Sequence, residues 1–237
     1  IKTEHLSSPH SLNLWYSLSQ MIIKKDELFG DILFVIQLFA AICFCGAQIY
    51  VFTTNIEGAS ITWVLFWLGF VFINLVLSIQ AFFDAKDRII KQTVINYAAW
   101  TVSITITFSV LLWQGAKWSA VDSITSTIVG IGFVSLLIYK FKKKLNIYNP
   151  RLKAGTAILL KAVPQLMLAY NIILFGGSGI ATYTIIIGHI MINLRIFQVS
   201  LSARVVGWDE NRKSIVFGEL GNELSWIVAT IAWIIFR

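Results

Sequence analysis

The sequence predicts an all-α integral membrane protein with seven transmembrane helices, arranged as three helices, a connecting helix and three helices. Three observations predict this. Of 237 residues, 57% are hydrophobic and only 13% charged, with a mean hydropathy of +0.75, whereas soluble chains are about one quarter charged. The apolar residues fall into seven runs of spanning length, each near the roughly 20 residues that a bilayer requires. Polar and aromatic residues of the first three runs recur in the last three at nearly constant offsets.

In chain order the spans are predicted at residues 32–52, 61–83, 94–113, 121–140, 154–175, 180–203 and 215–236. Short linkers make this one bundle. Residues 11–23 mix Leu, Trp, Tyr and Ile with serines and then meet Lys24 and Lys25. That pattern predicts an interfacial amphipathic helix, too polar for a secretory signal peptide. Cys43 and Cys45 lie in the first run. Two residues apart on one helix they face different ways, so they are expected as unpaired apolar fillers.

Alternate linkers differ in charge. One set carries Lys24 and Lys25; Lys86, Arg88 and Lys91; Lys140, Lys142, Lys143, Lys144, Arg151 and Lys153; and Arg204, Arg212 and Lys213. The other set carries Lys117, plus the terminal Arg237. Basic loops stay cytoplasmic, which predicts a cytoplasmic N-terminus and an outside C-terminus, in the plasma (inner) membrane. The formal charge of +7 is explained by these loops, and no nucleic-acid partner is predicted.

The repeat is read from three matches. Gln48 pairs with Gln165 at an offset of 117, beside Ala47 and Pro164. Gly69 and Asn74 pair with Gly188 and Asn193 at 119, and Asn96 and Trp100 pair with Asn222 and Trp226 at 126. With a helix between them, both triplets run the same way, as parallel repeats. The organisation expected is an N-terminal cytoplasmic or interfacial segment at 1–30, a first triple-helix repeat at 31–113, a connecting helix and basic loop at 114–153, and a second repeat at 154–237.

These residues give the chain a resemblance. Ala47-Gln48-Ile-Tyr50, then Asn55-Ile-Glu57-Gly58-Ala-Ser60, then Trp67-Leu-Gly69, together with Pro164-Gln165, Gly177-Ser178-Gly179 and Gly188, resemble the PQ-loop family and its SWEET and SemiSWEET relatives over about residues 32–236. The resemblance implies a 3+1+3 fold and facilitated or proton-coupled transport of small polar solutes by alternating access. It also implies a hinge role for Pro164 and frequent self-association. Two departures stand out: Ala47 replaces a proline, and the loops after the two glutamines carry no Lys or Arg, opposite to the family's usual orientation. The nicotinamide riboside carriers, of related fold, look like a precedent for that reversal. Asn96-x-x-x-Trp100 is a faint echo of their tryptophan-rich signature.

The site residues expected to bind solute are Asn96, Asn222, Trp100, Trp226, Gln48, Gln165, Asn74 and Asn193. An unsatisfied amide in hydrocarbon costs several kcal/mol, so these side chains must face the bundle interior or a wet cavity. An amide beside an indole suits a sugar, nucleoside or amino acid, and the resemblance places Asn96 and Asn222 beside the substrate. Interhelical packing is the alternative for the amides, and interfacial anchoring for the tryptophans. Pro164 removes a backbone hydrogen bond and acts as a hinge or a static kink.

Lys161, Arg195, Glu219 and Glu223 are charges within the second repeat's spans. Intramembrane charges usually pair, so one Lys/Arg–Glu network is expected. It would serve as a cytoplasmic gate, or Lys161 and Arg195 would bind an anionic solute while Glu223 carries a coupled proton. Snorkelling to the headgroups is the alternative. His189 is expected as a packed, hydrogen-bonded residue more than as a proton relay. The sequence offers no metal-ligand spacing, phosphate-binding glycine loop, cofactor motif, or nucleophile with a base. A carrier is therefore expected, not an enzyme, with a small-molecule solute and the lipid bilayer as partners. A non-transporting receptor or accessory subunit of the same fold is the alternative.

Overall fold

A computed structural model of the chain describes residues 9–86 and 88–237, with side chains from residue 29 onward apart from those of residues 85, 89, 202, 205 and 206. The described residues are helical throughout: α1 (Pro9–Phe52), α2 (Ile61–Ala85), α3 (Arg88–Trp113), α4 (Ala120–Lys142), α5 (Pro150–Ala157), a π-helical turn (Ile158–Ala162), α6 (Val163–Phe175), α7 (Thr182–Val206) and α8 (Glu210–Phe236). Seven segments are long and apolar enough to cross a membrane, with α5, the π turn and α6 forming the fifth. Among the exposed side chains on their outer faces are Phe39, Phe83 and Ile234, as expected of an integral membrane protein whose solvent there is lipid.

The N-terminal segment from Pro9 onward continues into the first span as one helix, α1, which runs unbroken to Phe52. Its one proline lies at the helix start, where no hydrogen bond is lost. The amphipathic face expected of residues 11–23, and His5, His10, Lys24 and Lys25, lie outside the described side chains.

The helix ends follow local chemistry. Thr53 and Thr54 donate to the carbonyls of Tyr50 and Val51 at the end of α1, satisfying acceptors that the helix leaves open. Ser60 caps α2 by accepting from Trp63 N, 3.1 Å, and Ser119 with Asp122 forms a capping box on α4. Asn149 and Pro150 begin α5, and Asp209 begins α8.

The π turn has a specific cause. Pro164 has no N–H to give to the carbonyl of Leu160, and its ring would collide with that group. The turn widens instead, and Val163 N bonds Ile158 O, five residues back. The wide turn sets the direction in which Lys161 points.

Packing divides around two central helices. α3 lies between α1 and α2, and α8 lies between α7 and the α5–α6 span. Across the middle, α1 packs on α7, while α2 packs on the π turn and α6. α4 rests against α2, α5 and α6. Phe44, Trp63, Trp226, Leu168 and Ile172 belong to the buried core between these groups.

The two turns at one end dock on each other. Gly58 has φ +73°, and a Cβ there would lie 1.8 Å from Gly176 O. Only glycine permits that approach. Gln48 donates to Gly179 O, 2.7 Å, and accepts from Ala181 N, 3.1 Å. In the reverse direction Asn171 donates to Gly58 O and Ala59 O, 3.0 and 3.1 Å. Asp122 ties α4 in at the same end, accepting from Ser60, Ser119 and Thr62.

Candidate functional site

A cavity of about 320 Å³ lies between the two helix groups. It reaches Gly30 and Gln92, near the beginnings of the first and third spans, and so opens at the end that carries the lysine-rich loops. Its floor is aromatic. Trp63 stacks on Trp226 with centroids 6.0 Å apart, and on Trp67 at 6.2 Å. Trp67 meets Trp100 at 5.2 Å and Phe44 at 4.8 Å. Beyond this floor the docked turns close the other end.

Asn96 on α3 and Asn222 on α8 line opposite walls. Asn96 Nδ2 donates to Gln37 Oε1, 3.1 Å, and Asn222 Nδ2 donates to Glu219 Oε2, 3.0 Å. In both residues Oδ1 is buried without a protein partner. An orphaned buried acceptor costs about 1–3 kcal/mol; both residues line the cavity, while the two oxygens themselves are closed off from it in this conformation.

The polar wall continues as a chain of side chains. Arg195 Nη1 donates to Gln198 Oε1, 2.9 Å, and Gln37 Nε2 donates to the same oxygen at 3.4 Å. Lys161 Nζ bonds Glu219 at 2.9 and 3.2 Å and lies over the Phe70 ring at 4.9 Å. Lys161 thus bridges α8 and α2.

Gly188 gives Trp226 its place. A Cβ on Gly188 would lie 2.4 Å from the indole Nε1, which instead donates to Ile185 O, 3.2 Å. The indole is buried against α7 with one face on the cavity.

Comparison with protein-family models, curated proteins and solved structures finds no match. The site is therefore read from its own chemistry.

The cavity brings together Asn96, Asn222, Trp100, Trp226, Gln165, Lys161, Arg195 and Glu219. It does not bring in Gln48, Asn74 or Asn193. Gln48 is buried and its amide is spent on the backbone of the opposing turn. Asn74 donates to Phe70 O on its own helix, 2.8 Å. Asn193 is exposed on the outer face, contrary to the expectation that it faces inward, and its Nδ2 bonds His189 O and Glu223 Oε1. Gln48 and Gln165 are not equivalent in place: Gln48 lies about one turn before the end of α1, and Gln165 about three turns before the end of α6. Asn171 is the residue that acts as Gln48 does.

The four charges do not form one network. Lys161 pairs with Glu219 and Arg195 bonds Gln198, while Glu223 pairs with His189, outside the cavity lining. Pro164 is buried in the wall of α6 at the π turn. The sequence reading missed Trp63, Gln37, Gln198 and Asn171. Trp63 and Trp67 stand four apart on one helix face, a signal that was available. Gln37 carries no local signal, because its partners Asn96 and Gln198 are on other helices, whereas Gln198 stands three residues after Arg195 on α7, a spacing that was available.

Proposed function

We propose that the chain is a membrane carrier, not an enzyme, that moves a small polar metabolite (a sugar, amino acid or nucleoside-like solute) by alternating access between two triple-helix bundles. One observation carries this reading. A cavity takes its walls from both ends of the sequence, and each wall holds an asparagine and a tryptophan one helical turn apart: Asn96 with Trp100, and Asn222 with Trp226.

The packing supports a 3+1+3 repeat. In each half the third helix lies between the other two, and the cross-contacts exchange as a two-fold relation requires: α1 on α7, and α2 on α6. The reciprocal use of Gln48 and Asn171 follows the same relation. This is the architecture of the PQ-loop and SWEET-like carriers, to which we assign the chain on resemblance. By charge bias the cavity opens to the cytoplasm in the plasma (inner) membrane, with the N-terminus inside and the C-terminus outside. The conformation then corresponds to an inward-open state.

A receptor or accessory subunit of the same fold is the second reading, favoured by the closure of the cavity at its tryptophan floor. A ligand thermal-shift screen of the purified chain against sugars, amino acids, nucleosides and vitamins, followed by counterflow in proteoliposomes, separates the two. A carrier shows a stabilising solute, loss of that stabilisation in Asn222→Ala and Asn96→Ala, and exchange across the bilayer. Stabilisation without exchange would support the receptor.

A further inference from the structure

The charges that line the solute cavity do not balance. Lys161, Arg195 and Glu219 are its charged lining residues. Lys161 Nζ lies 2.9 Å from Glu219 Oε2, and those side chains are 13% and 16% exposed, so the pair is neutral and largely closed to a solute. Arg195 forms no ion pair among the described residues. Its Nη1 donates to Gln198 Oε1, 2.9 Å, which uses one of the five N–H donors of a guanidinium. Asp31 and Glu223 adjoin lining residues in sequence, but Asp31 is held by Arg88 and Gln92, and Glu223 by His189 and Asn193. The lining therefore carries one uncompensated positive charge within the spans, where a lone charge is costly. A solute anion removes that cost.

The amides leave little for a solute rich in hydroxyls. Asn96 and Asn222 spend their Nδ2 groups on Gln37 and Glu219, and their oxygens are sealed. Gln37 and Gln92 spend their Nε2 groups on Gln198 and Asp31. What the cavity presents in quantity is indole. Trp63 lies nearly parallel to both Trp67 and Trp226, at 22° and 21°, and Trp100 sits beside Trp67. Stacked indoles accept a further flat ring in an offset or edge-on arrangement.

The cation and the floor lie at a spacing that one small molecule can bridge. Arg195 follows Gly188 by seven residues on α7, which is two turns on one face and about 10 Å. Gly188 is where Trp226 packs. An arginine side chain and a ring with a short acidic arm span that distance. Other solute classes fit less well. A neutral sugar or nucleoside leaves Arg195 unpaired. A zwitterionic amino acid needs a free carboxylate for its ammonium group, and Glu219 is taken by Lys161. A phosphate monoester brings a charge of about −1.5 to −2, more than the lining offsets.

We propose that the solute of this cavity is a monocarboxylate bearing a flat aromatic ring, with its carboxylate on the Arg195 guanidinium and its ring on the tryptophan floor. The planar fork of arginine matches the two oxygens of a carboxylate. The mouth opens at the end that carries the lysine-rich loops, which draw anions towards it. The transport of this solute rests on the carrier reading above; its binding does not.

The test is binding to the full chain in detergent, followed by calorimetry and thermal shift. The probes are benzoate and indole-3-acetate, their neutral amides, cyclohexanecarboxylate and benzylamine. Both aromatic carboxylates are expected to bind, and benzylamine is not. The amides are expected to bind about 10- to 100-fold more weakly, as the loss of a charged hydrogen bond implies. The saturated ring is expected to bind about 2- to 10-fold more weakly than benzoate, as the loss of ring stacking implies. Wild type alone decides these points. Carboxylate and amide bound alike, cyclohexanecarboxylate bound as tightly as benzoate, or neither aromatic carboxylate bound at millimolar concentration, overturns the proposal.

Variants then locate the charge. Arg195→Gln is expected to lose the same factor as the amides, and Arg195→Lys, which keeps the charge without the fork, to fall between it and wild type. Glu219→Gln frees Lys161 and adds a positive charge to the lining, so it is expected to tighten carboxylate binding, an effect that a merely structural ion pair would not give. Benzoate bound by Arg195→Gln as by wild type, or no more tightly by Glu219→Gln, overturns the assignment. Counterflow in proteoliposomes is read separately. Carboxylate binding without exchange keeps this inference and removes the carrier. Exchange of a neutral sugar, with no carboxylate bound, keeps the carrier and removes this inference.

Discussion

Gly188 decides where Trp226 can lie. The indole occupies the space that a Cβ on residue 188 would take, at 2.4 Å from Nε1, and it spends its N–H on the Ile185 carbonyl. Gly188→Ala must displace either the ring or the backbone of α7. Overpacking of this kind costs about 1–3 kcal/mol. The expected outcome is a clear fall in melting temperature, together with loss of solute-induced stabilisation, since the displaced ring forms part of the cavity wall. A variant as stable as wild type that still responds to solute would show that Trp226 is free to repack. The matching glycine of the first half, Gly69, has open space around its Cβ position, so Gly69→Ala is the control and is expected to be tolerated. The sequence match of Gly69 with Gly188 therefore reflects shared position and not a shared steric need.

At the scale of helices, the fifth span is the one whose α-helical hydrogen bonding is interrupted. Its π turn at Ile158–Ala162 exists because Pro164 offers no N–H, and it sets Lys161 toward Glu219 and Phe70. Pro164→Ala restores the donor and removes the steric clash, which is worth about 3 kcal/mol in a helix interior. The turn then tightens to an α-helix, which removes the register shift at Lys161. The variant is expected to melt at a higher temperature and to exchange solute more slowly in proteoliposomes. Unchanged exchange would make the π turn a static kink. The positions of the spans were legible in the sequence because hydropathy over about 20 residues reports a one-dimensional requirement of the bilayer. Asn96, Trp100, Asn222 and Trp226 were legible as a group for a similar reason, since spacing by four places each pair on one helix face. The π turn was not legible in detail, because a proline announces a lost bond without saying how the chain absorbs it.

For the whole molecule, the parts that escaped the sequence are those fixed by distant contacts. Gln48 is a polar residue in an apolar run, and nothing local distinguishes an amide that binds solute from one that holds the Gly179 and Ala181 backbone 131 and 133 positions away. Asn171 and Glu223 are of the same kind. The four intramembrane charges of the second half suggested one network by depth alone, yet Lys161, Arg195 and Glu219 line the cavity while Glu223 pairs with His189.

On the proposed reading as a repeat-built carrier, the two halves differ in the continuity of their first helices, and this leads to a prediction about the cycle. α1 passes through Ala47 without a break, while its counterpart is interrupted by the π turn and Pro164. Alternating access requires the cytoplasmic ends to close over the solute while the docked turns at Gly58 and Gly179 separate. On the carrier reading proposed above, with the π turn and Pro164 both in the fifth span, the second half is expected to supply most of the bending and the first half to move as a rigid unit. Spin labels at Val35 on α1 and Ile95 on α3 report the first half. Labels at Arg151 on α5 and Phe217 on α8 report the second, and all four positions are exposed. On addition of a stabilising solute, the distance between residues 151 and 217 is expected to change, while that between residues 35 and 95 stays fixed. In Pro164→Ala the first of these changes should shrink. Equal changes in both halves would mean that bending is not set by the proline, and that the loss of a proline at position 47 carries no mechanical consequence.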